Sequence, residues 1–556
     1  MDAADGVRLA TRLWRPPQGS GPWPALLMRQ PYGRRIASTL VYAHPRWYAA
    51  HGFLVVVQDV RGRGESEGDF GGFAQEAADG RCALAWLRRQ PECNGRVGTY
   101  GFSYQGLSQL LIGVGVGGTE ELPDALAPAM CGLDERRHWA SEGGAHWWAP
   151  LLGWGLQLAA EGCRRRGEHA SWEAIRRCLE SGAWLREGLD LLRQHDPQGM
   201  VAGWLGRDPA RARGWTVHEP HAALLLRPML LIGGWHDPHL NGVLDLWRRS
   251  RAAGGRPELL IGAWSHLDWQ GGANERQLAF FRRHLQAPAG GQGGQSGRSG
   301  EDCGHGPMVV DLQDTLSGSW RRLAAAAPER NGPRRAGRRV WHLHGDGRAA
   351  VSSEVGELLS EPAPAAAPGQ AWLSLVHDPW RPVPGRGGHL GLEPGLVERA
   401  DLDRRADVAC FTGGPLSEAL ELLGEPRLVI RVRVQEEGFD LCAALARVSA
   451  DGSRVSQLCV GMRRARGGGG GGAGGDAHGT TTVRLRLQPL RATLQPGERV
   501  RLSLAAAAWP QIGVHPGQGK GFAGPIGPSS AAHRVITLEF ALAGARFWLA
   551  PLPGLG

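Results

Sequence analysis

Several features that would assign a chain to a class at sight are missing here. Nine cysteines among 556 residues are an odd number, and no two form a CxxC pair. That argues against a disulfide framework and against a structural zinc site, and it makes a reducing cytoplasm the expected compartment. No stretch approaches the roughly 18 consecutive apolar residues of a membrane helix. The start, MDAADGVRLATRLWRP, is acidic and lacks an apolar run, so neither a membrane span nor a secretory signal is read from it. A dense basic stripe is absent too. The net charge of +9 comes from 63 basic and 54 acidic residues, mostly interspersed. The densest run, RRAGRR at Arg334–Arg339, has no aromatic interleaving and reads as a solvated segment, so no nucleic-acid partner is expected.

Glycine, at 85 residues, and tryptophan, at 22, are what the chain has in quantity. A single core rarely grows beyond about 250–300 residues, so two or three domains are expected. Residues 1–135 alternate short apolar runs with helical patterns. PALLMRQ (Pro24–Gln30) and FLVVVQDV (Phe53–Val60) suit strands buried on both faces, and AADGRCALAWLRRQ (Ala77–Gln90) suits a helix ending before Pro91. This is the pattern of an α/β fold with a mostly parallel sheet. Residues 136–227 carry eight tryptophans in helical runs and read as an all-helical insertion, with a few of the indoles lining a pocket. The α/β pattern returns at 228–289. A Gly-rich linker is expected at 290–306, and beyond 307 helical periodicity almost disappears. VIRVRV (Val429–Val434), VRLRL (Val483–Leu487) and VRLSL (Val500–Leu504) alternate as half-buried strands do, which predicts a β-sandwich over 307–556. The tract GGGGGGAGG (Gly467–Gly475) reads as a disordered hairpin loop, since a phosphate loop would need a following lysine and helix.

The chemistry centres on GTYGFSYQGLSQLL (Gly98–Leu111). A nucleophilic serine needs a strained strand-to-helix turn, with small residues nearby because backbone comes close. Ser103 has Gly101 before it and Gly106 after it, but the generic G-x-S-x-G pattern wants glycine where Gln105 stands. Alone this is a weak signal. Its partners strengthen it. Asp237 follows the strand-like MLLIGGWHD, and His266 follows ELLIGAWSH, giving the order Ser, acid, His with both partners at strand ends. DVRGRGESEG lacks dinucleotide-loop spacing, and Asp59 and Arg61 are expected to order a loop beside the site. His236, Asp237, His239 and His266 could suggest a metal, but a triad uses one Asp and one His and needs none.

RQPYGR (Arg29–Arg34), VVVQDVRGRGESEGDF (Val55–Phe70), GFSYQG, GGWHD and GAWSH together resemble the cocaine-esterase and X-Pro dipeptidyl-peptidase family of α/β-hydrolase serine hydrolases, which includes α-amino acid ester hydrolases and cephalosporin acylases. The family's elbow reads G-x-S-Y-x-G, which resolves the difficulty at Gln105. FTGGPLSEALELLGEPRLVIRV and LQPGERVRLSLAAAAWP resemble its C-terminal jelly roll, a galactose-binding-like domain. The resemblance implies Ser103 as nucleophile, His266 as general base and Asp237 as its orienting acid. It implies an oxyanion hole made by the Tyr32 hydroxyl and the Tyr104 backbone N–H. The expected activity is cleavage of acyl esters, and of amides by extension, through an acyl-enzyme. The alternatives are X-Pro dipeptidyl aminopeptidase action and, in another class, a non-catalytic glycan- or protein-binding protein on a hydrolase scaffold. A small-molecule ester or amide is the expected partner, with no cofactor, metal or membrane. Acyl preference and oligomeric state are not legible.

Overall fold

The computed structural model describes residues 1–35, 41–269, 271–286, 308–325, 339–362, 372–466, 480–518 and 533–552. The Gly-rich linker, the Gly467–Gly475 tract and all of RRAGRR except Arg339 lie outside the described residues.

Nine strands form the first sheet: β1 (Thr11–Trp14), β2 (Trp23–Gln30), β3 (Leu54–Asp59), β4 (Cys93–Phe102), β5 (Ala125–Ala129), β6 (Leu230–His236), β7 (Glu258–Ser265), β8 (Met308–Gln313) and β9 (Trp320–Ala325). Their spatial order is β1-β3-β2-β4-β5-β6-β7-β8-β9. The two outermost pairings are antiparallel and the pairs between them are parallel. Every residue of β3 is buried, Gln58 and Asp59 as well as the apolar run before them. Alternation along the strands divides the core between two faces. Leu27 and Val56 pack with Ala83, Leu84 and Leu87 of the helix Glu76–Arg88. Leu26, Met28, Val55 and Val57 share the opposite core with Phe280, Phe281 and Leu285 of the helix Ala273–Leu285.

The sandwich was expected to begin at 307, but β8 and β9 belong to the first sheet. Val310, Asp311 and Leu312 pair in parallel with Leu259, Leu260 and Ile261 of β7. Alternating strands fit either sheet, and local pattern could not choose between them. What draws the hairpin to β7 is an edge with tertiary partners: the Trp235 indole donates to the Gln313 carbonyl at 2.6 Å, the Ala263 amide donates to Gln313 Oε1 at 2.9 Å, and Arg276 and Arg322 both pair with the buried Asp311.

Between β5 and β6 lie the helices Trp148–Arg165, His169–Glu180, Trp184–His195 and Met200–Leu205. The region is not all helical: Ser141–Glu142 and Ala145–His146 form a small antiparallel ladder. Its turn explains why. Gly143 has φ +57°, and a Cβ there would lie 1.9 Å from the Met462 carbonyl oxygen. The Gly143 carbonyl in turn accepts from the Arg464 amide at 2.9 Å. Only glycine permits this approach to the strand Val455–Arg466 of the C-terminal region.

From Val340 onward the described residues form a second, mostly antiparallel sheet of twelve strands. Two long strands, Leu420–Arg433 and Ile536–Ala550, each pair with three neighbours, and the register between them shifts at Val429/Arg431. Leu428, Ile430, Phe540 and Phe547 from these two strands share one core with Phe411, Leu441 and Leu502.

Candidate active site

At the carboxyl end of β4 the chain turns sharply. Ser103 has φ +58° and ψ −127°, and the helix Tyr104–Leu111 begins at the next residue. A non-glycine residue held at positive φ costs about 1–3 kcal/mol and persists only where its surroundings fix it. Here the Ser103 amide donates to the Ala129 carbonyl of β5 at 2.9 Å, and the Gly106 and Leu107 amides donate to the Ser103 carbonyl at 2.9 and 3.0 Å. The position of the glycines follows from this packing. A Cβ on Gly106 would sit 2.6 Å from the Ala129 carbonyl oxygen, and one on Gly101 would sit 2.4 Å from Gln105 Cβ. Gln105 is accommodated because its Cβ fills the space that Gly101 leaves empty.

β6 ends in His236 and delivers Asp237; β7 ends in Ser265 and delivers His266. His266 Nδ1 lies 2.7 Å from Asp237 Oδ1. The other carboxylate oxygen accepts from the His239 amide at 3.1 Å, and the Asp237 carbonyl accepts from Gln488 Nε2 at 2.8 Å. Asp237 is fully buried, whereas His266 is half-buried and faces the same cavity as Ser103. Gln488 comes from the C-terminal region and gave no signal in the sequence.

His239, Asp237 and His266 offer ligand atoms within 4.8 Å of one another. Both Asp237 oxygens are engaged as described, and His239 Nδ1 bonds the His138 carbonyl at 2.6 Å, so an ion there would have to displace these contacts. Burial pushes the His239 imidazole down to about 4, against the raising effect of Asp237. His236, also buried, is not one of the three.

Tyr32 follows β2. Its amide donates to Gln30 Oε1 at 2.8 Å, and its loop is tied to β3 by Asp59, which accepts from the Arg34 amide at 2.5 Å and from the Arg34 side chain at 2.6 Å. Asp59 therefore orders the Tyr32 loop. Arg61 instead clamps Asp79 and Asp5. The Tyr32 hydroxyl accepts from the Trp154 indole at 3.2 Å and lines the same cavity as Ser103. Burial pushes this phenol up to about 12, against the lowering effect of the Trp154 bond, the nearby Ser103 and the Arg63 charge. As the first residue of its helix, Tyr104 has an amide N–H with no intrahelical acceptor. Its own phenol points away, donating to the Gly72 carbonyl at 2.8 Å.

These groups open on a cavity of about 900 Å³. Trp139, Trp147 and Trp154 line it from the region between β5 and β6, and Leu390 and Leu392 line it from the C-terminal region. That last wall was not foreseen. It lies at the tip of a hairpin closed by paired Gly388 and Gly395 bonds of 2.8 and 2.9 Å, more than 120 residues beyond His266 in sequence.

Residues 5–268 match the X-Pro dipeptidyl-peptidase (S15) family, and residues 307–525 match the X-Pro dipeptidyl-peptidase C-terminal non-catalytic domain. The chain is 28% identical over 499 residues to cocaine esterase from Rhodococcus sp. (strain MB1 Bresler), covering 83% of this chain and 81% of that protein. Two solved structures share its fold. An aminopeptidase from a marine sediment Thaumarchaeota archaeon superposes with a TM-score of 0.69 at 18% identity, over 99% of this chain and 95% of the other. An α-amino acid ester hydrolase gives 0.63 at 17% identity, over 98% and 95%. The fold is an α/β-hydrolase domain followed by a non-catalytic β-sheet domain. The chain belongs to the cocaine esterase and X-Pro dipeptidyl-peptidase-like family of α/β-hydrolase serine hydrolases.

Proposed function

We propose that this serine hydrolase cleaves esters of uncharged, apolar acyl groups through an acyl-enzyme. Ser103 attacks the carbonyl carbon, and His266 Nε2 takes the hydroxyl proton while its Nδ1–H remains bonded to Asp237. The negative charge that develops on the carbonyl oxygen is held by the Tyr32 hydroxyl and the Tyr104 amide. The protonated His266 gives its proton to the leaving alcohol, then draws one from water as that water attacks the acyl-enzyme. The observation that carries this reading is the 2.7 Å contact between a fully buried carboxylate and an imidazole that shares a cavity with Ser103.

The walls argue for the acyl class. Among the cavity's lining residues, Asp268 alone carries a carboxylate, and it is exposed at the mouth. An X-Pro dipeptidyl peptidase must hold a substrate ammonium, which a wall of indoles and leucines serves less well than a buried acid. The test is a panel of p-nitrophenyl esters, amino-acid esters and X-Pro anilides with the purified protein. Neutral esters should give the highest kcat/KM. A preference for X-Pro anilides would overturn the substrate assignment, and no turnover with no fluorophosphonate labelling would favour a binding protein.

A further inference from the structure

We propose that Trp154 is a positioning residue for the oxyanion donor: its indole N–H fills a lone pair of the Tyr32 hydroxyl, so that the phenol's single hydrogen is left to point at the reacting carbonyl oxygen. The inference rests on the reading of Tyr32 as an oxyanion donor and goes beyond it.

A phenol oxygen carries one hydrogen and can also accept, whereas an indole Nε1–H can only donate. Trp154 Nε1 lies 3.2 Å from Tyr32 Oη, so the polarity of that bond is settled: Tyr32 accepts. A hydroxyl otherwise rotates to suit its surroundings. With Trp154 on one side, the rotor is set and the O–H is directed into the cavity that Tyr32 shares with Ser103. Donation into an oxygen also polarises its own O–H and makes it a better donor. The lowering effect of the Trp154 bond on the Tyr32 ionisation has the same cause and the same direction.

Trp154 does not belong to the hydrolase sheet. It sits on the helix Trp148–Arg165, which is fastened to the loop after β3 at three points. Arg63 donates to the Leu158 carbonyl at 2.8 Å, and Arg165 donates to the Gly64 and Ser66 carbonyls at 2.5 and 2.6 Å. That loop is the one Asp59 ties to Arg34, two residues beyond Tyr32. The indole ring packs against Trp139 and Trp204, with ring centroids 5.9 Å from each. The helical region therefore does more than enclose substrate. It completes the donor on the catalytic side.

The test is a double-mutant cycle with Tyr32→Phe. Trp154→Phe, assayed on a p-nitrophenyl ester whose acylation is rate-limiting, should lower kcat by roughly 3- to 10-fold, the worth of one hydrogen bond, with KM little changed. In a Tyr32→Phe background the same substitution should change kcat by less than about twofold, because the rotor it sets is gone. Where Phe disturbs the packing of the three indoles, β-(3-benzothienyl)alanine at position 154 keeps the bicyclic ring and replaces only the N–H by sulfur. Equal losses in both backgrounds, or no loss in the wild-type background, would overturn the inference. A Tyr32→Phe enzyme with wild-type kcat would instead remove Tyr32 from the oxyanion hole, which is a failure of the underlying reading and is told apart by that single variant.

Discussion

The two sides of the cavity are built on opposite terms. The side formed by β4, β6 and β7 is a matter of backbone: a strained serine, two glycines that admit no Cβ, and a carboxylate whose two oxygens and own carbonyl are all engaged. The other side is a matter of large apolar side chains contributed by two separate regions, Trp139, Trp147 and Trp154 from one and Leu390 and Leu392 from the other. The first side has almost no freedom to vary without losing its geometry. The second can change volume one side chain at a time. On the proposed function, the first side carries most of the chemistry and the second most of the selectivity, with Trp154 serving both.

Substitutions can sharpen this contrast. Ser103→Ala should lower kcat by about 10⁶ and abolish covalent labelling by a fluorophosphonate, because members of a triad act as a unit. Labelling that persists in the variant would refute Ser103 as nucleophile. Gly106→Ala adds one methyl group on the rigid side, against the Ala129 carbonyl oxygen and Cys131 Sγ. It should cost about 1–3 kcal/mol of stability by overpacking and reduce kcat with it. A thermal melt and a kcat close to wild type would show that the elbow is looser than its contacts imply. Leu390→Ala, on the adaptable side, should leave kcat on a small acetyl ester nearly intact. On an ester with a bulky acyl group it should raise KM by roughly tenfold, the order expected for lost apolar contact. An equal effect on both esters would place Leu390 outside the acyl-binding wall.

A further test concerns acid. Burial holds five histidines down at about 4: His138 and His146 between β5 and β6, His236 at the end of β6 and His239 beyond it, and His515 in the C-terminal region. An unfolded histidine protonates below its ordinary value of about 6.5, so the unfolded chain takes up protons that the folded one refuses. Stability is present above about 6.5 and is lost as the pH falls toward 4. Unfolding near pH 5 should take up about four protons from these groups, measurable as the slope of stability against pH. A melting temperature that is flat from pH 6.5 to 4.5 would contradict their burial.

The rigid side was the legible one, and the reason is physical. Ser103, Asp237 and His266 each sit at the end of a strand whose apolar run announces it, and a turn that needs glycine says so in the adjacent letters. Tyr32 was reached only through the resemblance carried by the motif around it. What is assembled across distance was not legible on either side. Trp154 meets Tyr32 from 122 residues away. Leu390 is indistinguishable in sequence from any leucine in a loop, and Gln488 reaches the Asp237 carbonyl from 251 residues away. The hairpin of β8 and β9 was misplaced because alternation reports that a strand has a buried face, not which sheet supplies it.

That hairpin has a consequence for anyone dividing the molecule. The natural place to cut is the Gly-rich stretch, since the α/β pattern ends before it and the family's non-catalytic domain begins just after. A fragment ending there would lose the strand that covers β7 and the carboxylate of Asp311 that Arg276 holds. It would expose a row of unpaired backbone donors and acceptors along the strand that carries His266, an open invitation to pair with another chain. The hydrolase half is therefore not a smaller version of the enzyme. Such a fragment should self-associate through the very edge that presents its histidine, and catalysis and solubility would be lost at the same place.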